Sequence, residues 1–226
     1  MKLHYFFKEA GLFFLVFIFF VAPSVFQSVP AENAFSEWNF PLSGMIFSFL
    51  SFLIIGVEFN TADIKNIFIR KITKSKLVLD SSIFFVGFGA LFLCSAIFQF
   101  SAFICGYSNV SAEVLLPNNF CSIFFCLLTF LSGAVLEENI FRIYIPAFFF
   151  SFFKEKKLNK LANFAVELFP AMLFALCHRY LGIFAVLNAF FAHFILRKSF
   201  LKSSSPILNY LIHFFYNIFN LIFMAG

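Results

Sequence analysis

Charge is scarce in this chain. Of its 226 residues only 12% are Asp, Glu, Lys or Arg, against 62% that are hydrophobic, and a soluble globule of this length needs more polar surface than that. A water-soluble domain is thereby excluded. Long polar linkers, tandem repeats, a CxxC pair and a compact His-Glu-x-x-His element are missing as well, so neither a separate soluble domain nor the common zinc and dithiol motifs are on offer. The excess of basic residues, 16 Lys and Arg against 11 Asp and Glu, sits in loops beside apolar runs and leaves no patch for nucleic acid. What the chain has in abundance is phenylalanine, 44 of them; lipid-facing and helix-packing positions accept Phe as readily as Leu, so this excess carries no function.

An all-α, polytopic transmembrane helical bundle follows, a single membrane domain over 1–226. A helix of about 20 residues crosses the hydrocarbon core, and about seven stretches qualify: 11–29, 42–59, 77–105, 120–136, 161–178, 181–196 and 206–224. An eighth apolar piece, 143–153, is short and contains Pro146. It reads as an extension of the fourth span or as a short interfacial or re-entrant helix. Lys2 and Lys8 precede the first span, five basic residues lie in 65–76, five more in 142–160, and Arg197, Lys198 and Lys202 follow the sixth, whereas the intervening loops carry Glu32, Glu37 and Glu113 and only Arg179 is basic. Because Lys and Arg near spans stay in the cytoplasm, the expected topology is N-terminus in, C-terminus out, in a bacterial cytoplasmic membrane. The first span is expected to be a retained anchor rather than a cleaved signal peptide. Cys94, Cys105, Cys121, Cys126 and Cys177 lie in or at the ends of apolar segments, where packing explains them; a Cys105–Cys121 bridge across an outer loop is the less expected alternative.

Polar residues inside spans are costly and mark function. Three patterns stand out in order: Glu137-Glu138-x-x-x-Arg142, Phe174-x-x-x-His178 and His213-x-x-x-Asn217. Residues four apart share a helix face, so Glu138 can pair with Arg142, Phe174 can pack on His178, and His213 and Asn217 can face one target. At this chain's residue frequencies the chance matches number roughly 0.01, 0.8 and 0.25 respectively, so the first pattern is informative and the second means little alone. Taken singly, each has a plain structural reading: a helix-end ion pair, a histidine in a polar turn, and side chains bonding neighbouring helices. All three in order on separate apolar helices point to chemistry. Other polar groups have structural readings: His193 as a packed histidine, Glu167 as a partner of Lys160 or the lining of a water-filled entrance, Cys177 on a different face from His178, and Glu58, Asp63 and Asp80 at cytoplasmic helix ends.

With these motifs the chain resembles the CAAX-protease and bacteriocin-processing (CPBP, or Abi) family of intramembrane glutamic endopeptidases. The resemblance covers 120–220; the three spans within 1–105 match only as generic membrane helices. Ile143 stands where the family often has Gly after the motif arginine, a backbone feature with no reacting group. The resemblance implies hydrolysis of a peptide bond by activated water, with Glu137 as general base, His178 orienting or deprotonating the water, and His213 and Asn217 facing the developing oxyanion. Glu138 and Arg142, with Phe174, are then supports. It implies no cofactor, although two His and a Glu also make a possible zinc set with an open position. The partners implied are the lipid bilayer and a membrane-associated or lipid-anchored polypeptide, reached from the cytoplasmic side or laterally. A non-catalytic, bacteriocin-immunity-like binding protein and a small proton-coupled transporter are the alternatives. Depth is the difficulty: if helices begin where apolar runs begin, Glu137 lies near the inner surface and His178 near the outer one, up to about 20 Å apart. Convergence requires the fourth helix to continue past Arg142, the fifth and sixth spans to form a shallow hairpin, or both.

Overall fold

The computed structural model describes residues 3–26, 38–58, 73–107, 116–152 and 160–224, and every regular element among them is helical. Helix α1 runs through Leu3–Val16, a wide π turn at Phe17–Val21, and Ala22–Phe26. It is followed by α2 (Leu42–Glu58) and α3 (Lys74–Ile104). Helix α4 is a long rod made of Phe120–Glu137, a π-helical segment Glu138–Tyr144, and Ile145–Phe152. Then come α5 (Lys160–Leu176), a single 3-10 turn (Arg179–Leu181), α6 (Ile183–Ser203) and α7 (Pro206–Met224). Five stretches are long and apolar enough to cross a membrane unaided: Phe7–Phe26, Lys74–Ile104, Phe120–Ser151, Ile183–Ser203 and Pro206–Phe223. The apolar stretches Leu42–Glu58 and Asn163–Leu176 are shorter. Each run expected from composition is thus a helix, and the protein is an integral membrane protein. The basic loops 59–72 and 153–159, with Asp63, lie outside the described residues.

Local chemistry sets the ends. Asn119 caps α4 by accepting from Ser122 N at 2.8 Å while Ser122 Oγ accepts from Asn119 N at 3.1 Å, a reciprocal box that satisfies two orphan donors. The α5–α6 turn passes through Gly182 at φ +97°, and the α6–α7 turn through Ser204 at φ +50°, whose N–H bonds to Phe200 O at 2.6 Å. The left-handed residue stops α6 so abruptly that α7 begins two residues later. Cys105 and Cys121 are exposed and unbridged, whereas Cys126 and Cys177 are buried.

Of the two readings of 143–153 the extension of the fourth span is the one found, because the residues to Phe152 continue α4; the end of the sixth helix is revised. Pro146 lacks an N–H and so deprives the Arg142 carbonyl of its helical donor, but Arg197 Nη1 donates to that carbonyl at 2.7 Å, and the rod carries on. The sixth helix ends at Ser203 rather than at 196, since Arg197 turns inward to a partner and the strong helix formers continue to the Ser204 cap.

Helix α3 packs along α6, α5 and α6 form an antiparallel hairpin, α2 lies on α4, and α7 is wedged against α3, α4 and α6. The outside is apolar, with Phe85, Val86 and Phe103 facing outward, and the inside holds Glu138, Asn139, Arg142, Asn209 and His213. Small residues permit the closest approaches. A Cβ on Gly44 would stand 2.9 Å from Ser132 Oγ of α4, and one on Gly87 would stand 2.9 Å from Ser199 Oγ of α6 and 3.3 Å from Ile212 Cδ1 of α7. Ser199 Oγ is itself held by Ile195 O at 3.0 Å. Gly87→Val is therefore expected to destabilise the bundle by about 1–3 kcal/mol through overpacking. Thermal unfolding of the purified protein in detergent measures this, and an unchanged midpoint would contradict the packing described.

Candidate active site

Helix α4 carries the glutamates near the middle of its length. Glu137 stands seventeen residues after Phe120 and fifteen before Phe152, or about 25 Å and 22 Å from the two ends of the rod at 1.5 Å per residue. From Glu138 the backbone enters the π segment, whose seven residues are all buried; such wide turns cluster at functional sites because they rotate successive side chains off the regular stripe. The two adjacent carboxylates consequently have different surroundings. Glu137 keeps 31% of its side-chain surface open, and Glu138 keeps 1%.

Glu138 is the hub. Its Oε1 accepts from His213 Nδ1 at 2.8 Å, its Oε2 accepts from Asn209 Nδ2 at 2.9 Å, and Arg142 Nε lies 3.5 Å from Oε1. An ionised carboxylate only accepts, so His213 Nδ1 carries the hydrogen and Nε2 points the other way, 3.6 Å from Glu137 Oε2. Asn209 is fixed in turn by donating to Leu196 O at 2.8 Å. Next door, Asn139 donates to Ser51 Oγ at 2.8 Å and accepts from the Tyr210 hydroxyl, which ties α4 to α2 and α7.

The second motif interlocks with the first. The Arg142 guanidinium lies 3.9 Å above the Phe174 ring, and His178 packs on the same phenylalanine at 4.6 Å between centroids. Arg142 is fully buried and its side-chain nitrogens have no hydrogen-bond partner among the described residues, so the Glu138 charge and the Phe174 face compensate it. His178 Nδ1 lies 2.8 Å from Phe174 O. A carbonyl can only accept, so Nδ1 holds the hydrogen and Nε2 is left with its lone pair.

Glu137, His178, His213 and Asn217 all line one cavity of about 400 Å³, enclosed by α3, α4, α6, α7 and the end of α5. Both routes to convergence operate: α4 runs on past Arg142, and α5 is a short helix turning at His178. Glu138, Arg142 and Phe174 hold this lining from behind or at its edge. His193 is a packed histidine, fully buried 6.0 Å from the Phe174 ring. Cys177 is buried, its thiol 3.8 Å from Val21 O. Among the described residues no three His, Cys, Asp or Glu side chains are grouped to hold a metal ion.

Sequence reasoning missed four supports. Asn209 extends the third motif one turn back, an N-x-x-x-H-x-x-x-N stripe that was legible in the chain. Asn139 and Tyr210 had no pattern to reveal them. Arg197 was assigned to a cytoplasmic helix end, yet it pairs with Glu167 through Nε to Oε2 at 2.9 Å and Nη2 to Oε1 at 2.9 Å. Glu167 therefore has Arg197 as its partner, because the α5–α6 hairpin lays the two side by side. With its bond to the Arg142 carbonyl, Arg197 clamps α5 and α6 to the π segment.

An acid, two imidazoles and an amide thus border one cavity inside a membrane bundle. Residues 119–219 match the family model described as Rce1-like, type II CAAX prenyl endopeptidase. The resemblance read from the three motifs is thereby borne out over the C-terminal part of the chain, and it supports a membrane protease. No curated protein and no solved structure matches the chain significantly.

Removing Glu167 alone strands a largely buried guanidinium, whereas removing both partners does not. Glu167→Ala is expected to lower the unfolding midpoint clearly more than the Glu167→Ala/Arg197→Met pair does. Equal losses in a thermal-melt comparison would show that the clamp contributes nothing.

Proposed function

We propose that the protein is an intramembrane endopeptidase that hydrolyses a peptide bond of a membrane-associated or lipid-anchored polypeptide, using water activated by Glu137 and His178. The observation that carries this reading is the meeting of Glu137, His178, His213 and Asn217, from separate helical segments, on one cavity. Glu137 is the carboxylate open to that cavity, so it is the one able to take a proton from water as the oxygen attacks the carbonyl carbon. His178, with Nδ1–H spent on Phe174 O, offers Nε2 as an acceptor that aims the same water. The carbonyl electrons move to an oxygen facing Asn217 Nδ2 and His213 Nε2; with Nδ1–H held by Glu138, a hydrogen on Nε2 makes His213 the imidazolium, and it keeps both protons through the step. Preorganised donors of this kind stabilise charge that appears only in the transition state. Collapse breaks the C–N bond, and the proton held at Glu137 passes to the leaving amine.

Glu138 is a positioning residue: it fixes the His213 ring through Nδ1 and balances Arg142. The segment 120–220 is the catalytic core, and α1–α3 complete its walls and supports. The matched family's description names prenylated CAAX proteins, and a lipid-modified C-terminus is accordingly the first substrate class to try. By the distribution of basic loops the N-terminus faces the cytoplasm.

The test is cleavage by reconstituted protein. Glu137→Gln, His178→Ala and His213→Ala are each expected to lower turnover at least a hundredfold while the protein remains folded and extractable. Glu138→Gln is expected to act through His213 and to leave substrate affinity near that of the wild type. Turnover that survives Glu137→Gln would overturn the mechanism; a cellular phenotype that survives it would favour binding without catalysis. Activity lost on exhaustive chelation and restored by zinc would replace the metal-independent reading.

A further inference from the structure

The cavity continues beyond the groups assigned to the reaction. Along α7 the polar stripe of Asn209 and His213 runs on through Tyr216 and Asn217 to Asn220, and α3 sets Ser95 and Gln99, and α6 sets Asn188, on the same cavity. Ser95 Oγ donates to Asn220 Oδ1 at 3.1 Å, Gln99 Nε2 donates to Ser95 Oγ at 2.9 Å, and Asn188 Nδ2 donates to the Tyr216 hydroxyl at 2.9 Å. These bonds leave the Asn220 N–H groups and Gln99 Oε1 unused. Asn188 Oδ1 is buried and has no partner among the described residues. Polar contacts that merely join helices close on one another, whereas this row borders an open cavity and holds amide groups beyond those its own bonds use.

Its dimensions suit a short stretch of extended chain. His213 and Asn220 are seven residues apart, about 10 Å along the helix axis at 1.5 Å per residue, which matches about three residues of a strand at 3.3 Å each. The surrounding walls include Phe98, Phe130 and Phe184, and among the described residues Glu137 is the single Asp, Glu, Lys or Arg in the lining.

We infer that Ser95, Gln99, Asn188 and Asn220 form a subsite that hydrogen-bonds the main chain of about three uncharged substrate residues, held as an extended strand beside the scissile bond. This rests on the endopeptidase reading. Backbone N–H and C=O groups cannot be left unpaired within lipid, so a segment drawn out of its helix, or inserted without one, needs alternating partners, and the amide row supplies them. Among the described residues the lining contains no Lys or Arg, so affinity here comes from main-chain bonding and apolar side chains rather than from capture of a free carboxylate.

The experiment uses the full chain in proteoliposomes and an uncharged ten-residue fluorogenic peptide, with variants N-methylated singly at the three amides on each side of the cleaved bond. N-methylation on one side only is expected to raise KM about tenfold with kcat within twofold. Asn188→Ala is expected to raise KM of the parent peptide by a similar factor and to abolish the added penalty of one N-methyl group. Gln99→Met provides the same readout should Asn188→Ala fail to fold. An unchanged KM, or a loss confined to kcat, would overturn the subsite. Anisotropy of the same peptides, fluorescein-labelled, on the Glu137→Gln protein separates the two readings. Binding that N-methylation weakens tenfold, with no cleavage by wild type, would sink the endopeptidase and leave the subsite standing. Cleavage by wild type that ignores N-methylation would do the reverse.

Discussion

A carboxylate enclosed by a helical bundle within lipid stays charged only if its neighbours compensate it, and the arrangement of the C-terminal helices follows from how Glu138 meets that demand. His213 and Asn209 approach from α7, Arg142 from the next turn of α4, and the Arg142 guanidinium in turn rests on Phe174 of α5. The three sequence motifs are therefore parts of one network. The buried glutamate orients the histidine; the buried arginine, stacked on a phenylalanine, positions the second histidine through that phenylalanine's ring and carbonyl. The outcome is a pair of imidazole rings, each fixed by a bond at Nδ1, and one neighbouring carboxylate left open to a cavity.

Pairing alone does not place Glu137 and Glu138 differently; backbone geometry does. A regular α-helix separates adjacent side chains by a fixed rotation, and the π segment beginning at Glu138 alters it where the chain runs through the packed interior, with the seven residues to Tyr144 all buried. Widening a helix weakens its own hydrogen bonding, and Pro146 removes one donor more. The Arg197 guanidinium answers this by bonding the freed Arg142 carbonyl while paired to Glu167. A second polar chain supports the other side, from Ser132 O to Ser48, and from Ser51 through Asn139 to Tyr210. Helix α2, which carries no motif, thus buttresses the segment that carries the glutamates.

Much of this was legible. Apolar runs of the right length announced the helices, and E-E-x-x-x-R, F-x-x-x-H and H-x-x-x-N announced which polar residues lie on shared faces. Periodicity places residues on a face, but depth and inter-helix distance depend on where each helix ends. Pro146 left two readings of 143–153 open because the donor that replaces its missing N–H at the Arg142 carbonyl, Arg197, is 55 positions away, and that contact is invisible to any local rule. Glu167 was matched to Lys160, seven residues off along the same helix, when the α5–α6 hairpin delivers Arg197 from 30 residues away. Asn139 and Tyr210 are single polar residues without spacing, so only the packed structure identifies them. Asn209 was missed although its spacing to His213 repeats that of His213 to Asn217.

The account stands on the bond from His213 Nδ1 to Glu138. Nitrogen-15 NMR of histidine-labelled protein, its four histidines assigned by His4→Gln, His178→Gln and His193→Gln variants, reads that hydrogen directly. The structure requires His213 to be protonated at Nδ1 in the wild type and to lose this fixed state when Glu138 is changed to Gln. A His213 protonated at Nε2 alone, with a spectrum indifferent to Glu138→Gln, would contradict it.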